Sequence, residues 1–232
     1  MGSAPAIPPG AWPPGWTVEH VAETGSTNAD LLATAASRPD RSALVTDHQT
    51  AGRGRLDRRW DAPSGANLLV SLLFHDVPGD PGELTRRVGL AAVDGCRAVT
   101  GTEAVLKWPN DVLVGDRKLA GILAERGATG SVVVGLGLNV RWAPDGAARL
   151  GADVAPLDVL AAVLAAYDAL PADIDQRYRR ALATLGRAVR IELAGGILEA
   201  TATDVEPDGR LVVVDRCGLT HRIDAGDVVH LR

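Results

Sequence analysis

Apolar residues recur in short runs broken by turn residues, and six such runs, 43–46, 67–74, 105–108, 112–114, 119–124 and 132–140, read as strands. Gly115-Asp116 is a two-residue turn between two of them, which brings Asp111 and Lys118 near one end of a hairpin. A helical pattern starts at Ser26, with Thr27 as N-cap and Asp30 three residues on in a capping-box position. Further helical patterns cover 84–99, 157–170 and 174–185. Adjacent strands with separate helices predict an α+β domain, a mixed sheet with helices packed over it. After Gly186 the texture changes to short strands at 189–193, 197–205, 211–214, 219–223 and 228–231, with a hairpin turn at Asp208-Gly209. That run predicts a small β-barrel. Five prolines among the first 16 residues predict a flexible arm, giving an arm over 1–16, a main domain over 17–185 and a barrel over 186–232.

The 232 residues, 46% of them hydrophobic, suffice for one buried core and a small appended domain. No apolar stretch reaches the roughly 20 residues of a membrane span, and no basic segment precedes an apolar one at the N-terminus. A cytoplasmic protein without membrane attachment is expected. Cys96 and Cys217 stand apart, and His20, His48, His75, His221 and His230 form no HxxxH pair, so no protein-held metal is expected. The net charge of −5 weighs against a surface that binds nucleic acid by neutralising phosphates. Of 24 basic residues only Lys107 and Lys118 are lysines, and they bracket the segment Lys107-Trp-Pro-Asn-Asp111 to Arg117-Lys118-Leu-Ala-Gly121. A lysine kept in an arginine-rich chain marks a place where a compact ammonium is not interchangeable with a planar guanidinium, or else an ordinary surface charge. Lys118 is the first candidate for chemistry.

Three other segments carry chemistry. Gly52-Arg53-Gly54-Arg55, with Arg58, Arg59 and Trp60 just after, combines close backbone approach with guanidinium forks; it reads as an anion clamp or as a solvated basic loop. Gly25-Ser26-Thr27-Asn28 sets three small hydrogen-bonding side chains at a helix start, which suits a neutral polar group such as a urea, or simple capping. Gly135-Leu136-Gly137-Leu138-Asn139 interrupts a strand with two glycines, as where a ligand lies against backbone or where a bulge forms.

Ser-Thr-Asn, Gln-Thr-Ala-Gly-Arg-Gly-Arg with a downstream Trp, Lys-Trp-Pro-Asn-Asp, Arg-Lys-Leu-Ala-Gly-Ile-Leu and Gly-Leu-Gly-Leu-Asn occur in that order over 24–139. This series resembles the biotin protein ligases, and the C-terminal strands fit that family's SH3-like barrel. The resemblance implies joining of biotin to ATP with release of pyrophosphate, then transfer of biotin from biotinyl-5′-adenylate to a lysine of a biotin carboxyl carrier domain of acyl-CoA carboxylases. It implies that Ser26, Thr27 and Asn28 hold the ureido ring, with Gln49 and the backbones of Gly52, Gly135 and Gly137 beside it. Arg53 and Arg55 would meet the biotin carboxylate and the phosphate, and Arg58 the departing phosphates. Trp60 would pack near the biotin tail and adenine, Asn110, Asp111 and Asn139 would serve the nucleotide, and Lys118 would bridge carboxylate and α-phosphate. Biotin's own carboxylate is the nucleophile, so alignment and charge neutralisation suffice, with Mg²⁺ held through the phosphates. Asp111 is the candidate to orient or deprotonate the incoming lysine.

Two departures from the family pattern stand out. Asp57 occupies a loop position where glycine is common, and no room lies upstream of Thr24 for a helical DNA-binding domain, so a ligase without DNA binding is expected, as a monomer or weak homodimer. The alternatives are a lipoate or octanoate ligase of the same fold, which would favour a greasier pocket, and a non-enzymatic RNA-binding module. Two tyrosines and one phenylalanine offer the latter few stacking platforms.

Overall fold

The computed structural model describes residues 12–56, 58–193, 196–224 and 226–231. Seven strands form one sheet: β1 (Thr17–Thr24), β2 (Ser42–Gln49), β3 (Leu68–Phe74), β4 (Val105–Lys107), β5 (Asp111–Val114), β6 (Arg117–Arg126) and β7 (Val132–Leu138). Their order is β1-β2-β3-β7-β6-β5-β4. β1 and β2 run parallel and the other neighbours antiparallel, so the sheet is mixed, as expected.

β3 reads Leu-Leu-Val-Ser-Leu-Leu-Phe and is buried throughout because helices cover both faces of the sheet. Leu68, Val70, Leu72 and Phe74 enter the main core under α2 (Gly82–Thr100) and α3 (Pro156–Asp168). Leu73 enters a smaller core with Leu31, Ala35, Leu44 and Val133 under α1 (Thr27–Thr34). Strand alternation then puts Ser71 on the α1 face, and Gly135 and Gly137 of β7 beside it. Gly121 and Leu123 of β6 stand opposite Gly137 and Gly135 on that same face. Across the sheet, α2 and α3 meet backbone to backbone at Gly95, where a Cβ would come within 2.8 Å of Val163 Cγ2.

Several elements depart from the sequence reading. Trp16, expected in the free arm, is buried: its ring meets Phe74 and Tyr167 edge-on at 6.1 and 5.7 Å, and Arg41 lies 4.6 Å above it. An indole of that area is worth more in the core than the arm's disorder is worth in entropy. Residues 1–11 of the expected arm lie outside the described residues. β1 escapes the hydrophobic pattern because it is an edge strand whose Val18 and Val21 are three apart. Ser26, not Thr27, is the residue before α1, and no side chain caps it, since Thr27 is drawn into the sheet face. α4 (Asp175–Ala181) stops short of 185 because Leu182 pairs beside Leu106 and the Ala183 N–H donates to the Leu106 carbonyl at 2.8 Å, covering the β4 edge.

The C-terminal strands β8 (Ala188–Leu193), β9 (Gly196–Val205), β10 (Leu211–Asp215), β11 (Thr220–Ile223) and β12 (Asp227–His230) form an antiparallel sheet, β11-β10-β9-β8-β12. Its arrangement is SH3-like, but among the described residues the two end strands do not pair, so the barrel is open. It is fixed to the main domain where the buried Trp108 donates Nε1–H to the Gly209 carbonyl at 2.8 Å and the buried Arg86 donates to the Pro207 carbonyl at 2.9 Å. Trp108 follows β4, so the Lys-Trp-Pro segment anchors the two units to each other.

Candidate active site

All the predicted site residues except Gly52 line one cavity of about 260 Å³ on the α1 face of the sheet: Ser26, Thr27, Asn28, Gln49, Arg53, Arg55, Arg58, Trp60, Asn110, Asp111, Lys118, Gly135, Gly137 and Asn139. Gly52 lies behind the wall, where a Cβ would run into the Trp60 carbonyl oxygen. The Asp57 question lies outside the described residues.

One end of the cavity is a network of buried side chains. The Thr27 N–H and hydroxyl donate to Gln49 Oε1 at 2.8 and 3.1 Å. Asn28 Nδ2 donates to Glu125 Oε2 at 2.7 Å and to the Leu123 carbonyl at 3.1 Å, which uses both of its hydrogens. Ser71 Oγ lies 2.6 Å from Thr27 Oγ1 and 2.5 Å from Asn28 Oδ1. Thr27 has already given its hydrogen to Gln49, so the single Ser71 hydrogen serves two acceptors and one of them is left short. This end holds a surplus of acceptors and fits a neutral ligand that brings N–H donors.

The middle of the cavity is a floor of glycine covered by Trp60. A Cβ on Gly137 would stand 2.5 Å from Trp60 Cε2, and one on Gly121 3.2 Å from Cζ3, so the indole lies on bare backbone. Trp60 ends a loop closed by short backbone bonds: its N–H donates to the Gly52 carbonyl at 3.0 Å, and the Gly54 N–H to the Arg58 carbonyl at 2.6 Å. Arg53 reaches back to the polar end and donates to Glu125 at 2.9 and 3.1 Å.

The other end carries the charges. Lys118 Nζ lies 2.6 Å from Asp111 Oδ1, and the Gly115 turn with a bulge at Val112/Leu113 brings the two together across the β5–β6 hairpin. Arg55 donates to Asn110 Oδ1 at 3.1 Å and to the Gly226 carbonyl of the C-terminal unit at 3.3 Å. Thus Arg55 is held at the Asn110-Asp111 segment at the charged end, whereas Arg53 is held at the neutral end. Asn139 is largely committed to structure, its Nδ2 donating to the Ala148 carbonyl at 3.0 Å and its Oδ1 accepting from Asn67 at 3.2 Å. Asp111 and Lys118 also wall a second cavity of about 330 Å³ between the units, with Lys107, Arg187 and His230. Burial, then Lys107 and Arg187, push the His230 pKa down to about 4.

Sequence reasoning missed Ser71 and Glu125. Ser71 is the polar residue inside an apolar run, and Glu125 falls two residues beyond Leu123 on the strand whose Gly121 faces the cavity; the period of two is the signal for both.

The profile of the Biotin/lipoate A/B protein ligase family matches residues 22–139, and that of the Biotin protein ligase C terminal domain matches 184–231. The chain belongs to the biotin protein ligase family. It is 43% identical to the biotin acetyl-CoA-carboxylase ligase of Mycobacterium tuberculosis, over 94% of this chain and 91% of that one. The corresponding ligase of Paracoccus denitrificans is 38% identical over 57% of this chain and 58% of its own length. Among solved structures, the biotin protein ligase from Aquifex aeolicus in complex with biotin and ATP superposes with a TM-score of 0.78 at 25% identity, covering 93% of this chain and 99% of that one. Family membership sets aside the RNA-binding alternative and agrees with the ligase fold expected from the motifs.

Proposed function

We propose that the protein joins biotin to ATP, forming biotinyl-5′-adenylate and pyrophosphate, and then passes biotin to a lysine of a biotin carboxyl carrier domain of an acyl-CoA carboxylase. One observation carries this reading: a single cavity has an acceptor-rich neutral end and, across a glycine floor, an ammonium–carboxylate pair with a guanidinium beside it. The cyclic urea of biotin brings N–H donors to Asn28, Thr27 and Ser71. A lipoyl dithiolane has none to offer, which disfavours the lipoate alternative.

With the urea so placed, the valeryl chain runs over Gly135 and along the edge of Trp60, whose indole itself covers Gly137, and the carboxylate arrives at Lys118. Its oxygen attacks the α-phosphorus while the bond to pyrophosphate breaks. Lys118 and Arg55 neutralise the charge that gathers on the phosphoryl oxygens, Arg58 takes part with the leaving phosphates, and Asn110 keeps Arg55 aimed. Arg53 reaches a carboxylate only by leaving Glu125, so we assign it to loop closure first. Mg²⁺ would enter on the ATP phosphates; among the described residues no three His, Cys, Asp or Glu side chains converge on one point.

In the transfer step a lysine amine attacks the acyl carbon and AMP departs. An ordinary lysine with pKa near 10.4 is free base in roughly one molecule per few thousand at pH 7, so a base beside the acyl carbon helps. Asp111 is released for this once Lys118 turns to the adenylate, and the second cavity leads to it from outside. Among the described residues no helix is long and apolar enough to cross a membrane, and we assign the reaction to the cytoplasm, where ATP and carrier meet.

Biotin-dependent pyrophosphate release from ATP tests the reading. The wild type should release it with biotin and not with lipoate, and Lys118→Ala should lose it; release with lipoate, or none with either acid, would overturn it.

A further inference from the structure

We propose that Glu125 sets the hydrogen-bond polarity of the cavity's neutral end and, through Arg53, ties that polarity to the loop that covers the ligand; this rests on the biotin reading of the site. An amide can present either its oxygen or its nitrogen to a ligand, and what decides is the partner on its other side. A carboxylate only accepts, so the atom of Asn28 that stands 2.7 Å from Glu125 Oε2 must be Nδ2. Asn28 Oδ1 is thereby turned toward Gly135, against the place a Cβ would occupy there, on the cavity wall.

Glu125 does not itself line the cavity. It acts on the ligand through Asn28 and is a positioning residue. Its second oxygen is engaged by Arg53 at 2.9 Å, and this ion pair both steadies the carboxylate and clips the Gly52–Trp60 loop to β6. The Arg53 side chain is half exposed, so the clip is weak enough to open for substrate entry. A neutral ligand with N–H donors thus meets an acceptor whose sense is fixed in advance, and a ligand without donors leaves that oxygen to Ser71 alone and gains nothing from it.

The test is biotin-dependent pyrophosphate release measured for Glu125→Gln, Asn28→Asp and the double variant, with biotin and with a biotin methylated on both ring nitrogens. Glutamine at position 125 withdraws one of the two acceptors that hold Asn28 Nδ2 and leaves the Leu123 carbonyl, at 3.1 Å, as the other, so the sense of the amide is held less firmly. The single change should raise KM for biotin about tenfold, leave KM for ATP and kcat within about twofold, and shrink the preference for biotin over the methylated compound. Asn28→Asp alone sets two carboxylates face to face and should also raise KM for biotin. In the double variant the amide introduced at position 125 donates to the carboxylate introduced at position 28, whose other oxygen again offers an acceptor to the cavity. KM for biotin should then recover at least threefold from the worse single variant.

A purely structural role would not produce that recovery. The proposal fails if Glu125→Gln raises KM for biotin and ATP alike, if it leaves biotin KM unchanged, or if the double variant is no better than the worse single one. Should the single variants not fold, a double variant that folds and prefers biotin supports the proposal, and one that also fails to fold overturns it. A wild type that releases no pyrophosphate with biotin would instead sink the functional reading.

Discussion

Replacing Gly137 by alanine puts a methyl group where Trp60 lies. On the native backbone the new Cβ stands 2.5, 2.7 and 2.9 Å from Trp60 Cε2, Nε1 and Cδ2. Carbon contacts are comfortable only from about 3.5 Å, so the ring has to retreat by about 1 Å. β7 cannot give instead, because Gly137 is paired with Leu69 of β3 on one side and Gly121 of β6 on the other. Trp60 ends a loop held by a few polar contacts, and the loop yields. Overpacking in a closed core costs about 1–3 kcal/mol; here most is relieved by that movement, leaving a loss of at most about 1 kcal/mol, or roughly 2–4 °C in Tm. The catalytic cost is larger, because the lifted loop carries Arg55 away from Asn110. A tenfold to hundredfold fall in kcat/KM for pyrophosphate release, about 1.4–2.8 kcal/mol, is expected. The assay is a double-mutant cycle with Trp60→Ala: in that background Gly137→Ala should cost less than about 0.5 kcal/mol, since nothing remains to clash. Equal losses in both backgrounds would refute the reasoning and place the effect in the ligand channel itself.

Single-turnover measurements on Asp111→Asn should show transfer from preformed adenylate slowed more than adenylate formation; equal slowing would remove the base assignment. His230 is neutral in the folded protein, with its pKa held down to about 4 against an ordinary 6.5, so its contribution to stability is complete above pH 6.5 and is lost as the pH falls toward 4. The decline of Tm between pH 6.5 and 4 should therefore be shallower in His230→Gln than in the wild type, and parallel curves would count against it. Trp16→Ala removes two edge-on aromatic contacts and a buried indole; urea unfolding should report a loss of about 3–5 kcal/mol, and under 1 kcal/mol would mean the indole is not part of the core.

The elements that were legible in the sequence are those whose own residues dictate them. β3 announces itself by an apolar run broken only by Ser71, the β5–β6 hairpin by Gly115-Asp116, and the glycine floor by Gly135 and Gly137 in a β-branched strand. What was not legible depends on partners distant in the chain. β1 becomes a strand by pairing with β2, although its own residues alternate too weakly to announce one. Thr27 gives up a capping role because Gln49, 22 residues on, offers a better acceptor. Arg53 and Arg55 are alike in sequence, yet Glu125 draws one to the neutral end and Asn110 the other to the charged end. The open ends of the C-terminal sheet likewise follow from strand order, which composition does not encode.

Arg55 makes its second hydrogen bond to the Gly226 carbonyl, across the boundary between the two units. The loop over the reactive intermediate is thus fastened to the main domain through Arg53 on Glu125 and Arg55 on Asn110, and also to the C-terminal unit, whose Arg187 and His230 wall the second cavity. Linkage makes such a tie reciprocal. A ligand that holds Arg55 down also stiffens the seating of the C-terminal sheet, and any partner that tilts that sheet changes how long the adenylate is kept from water. The lifetime of the intermediate is then a property of the whole chain, open to adjustment from a surface well away from the phosphorus.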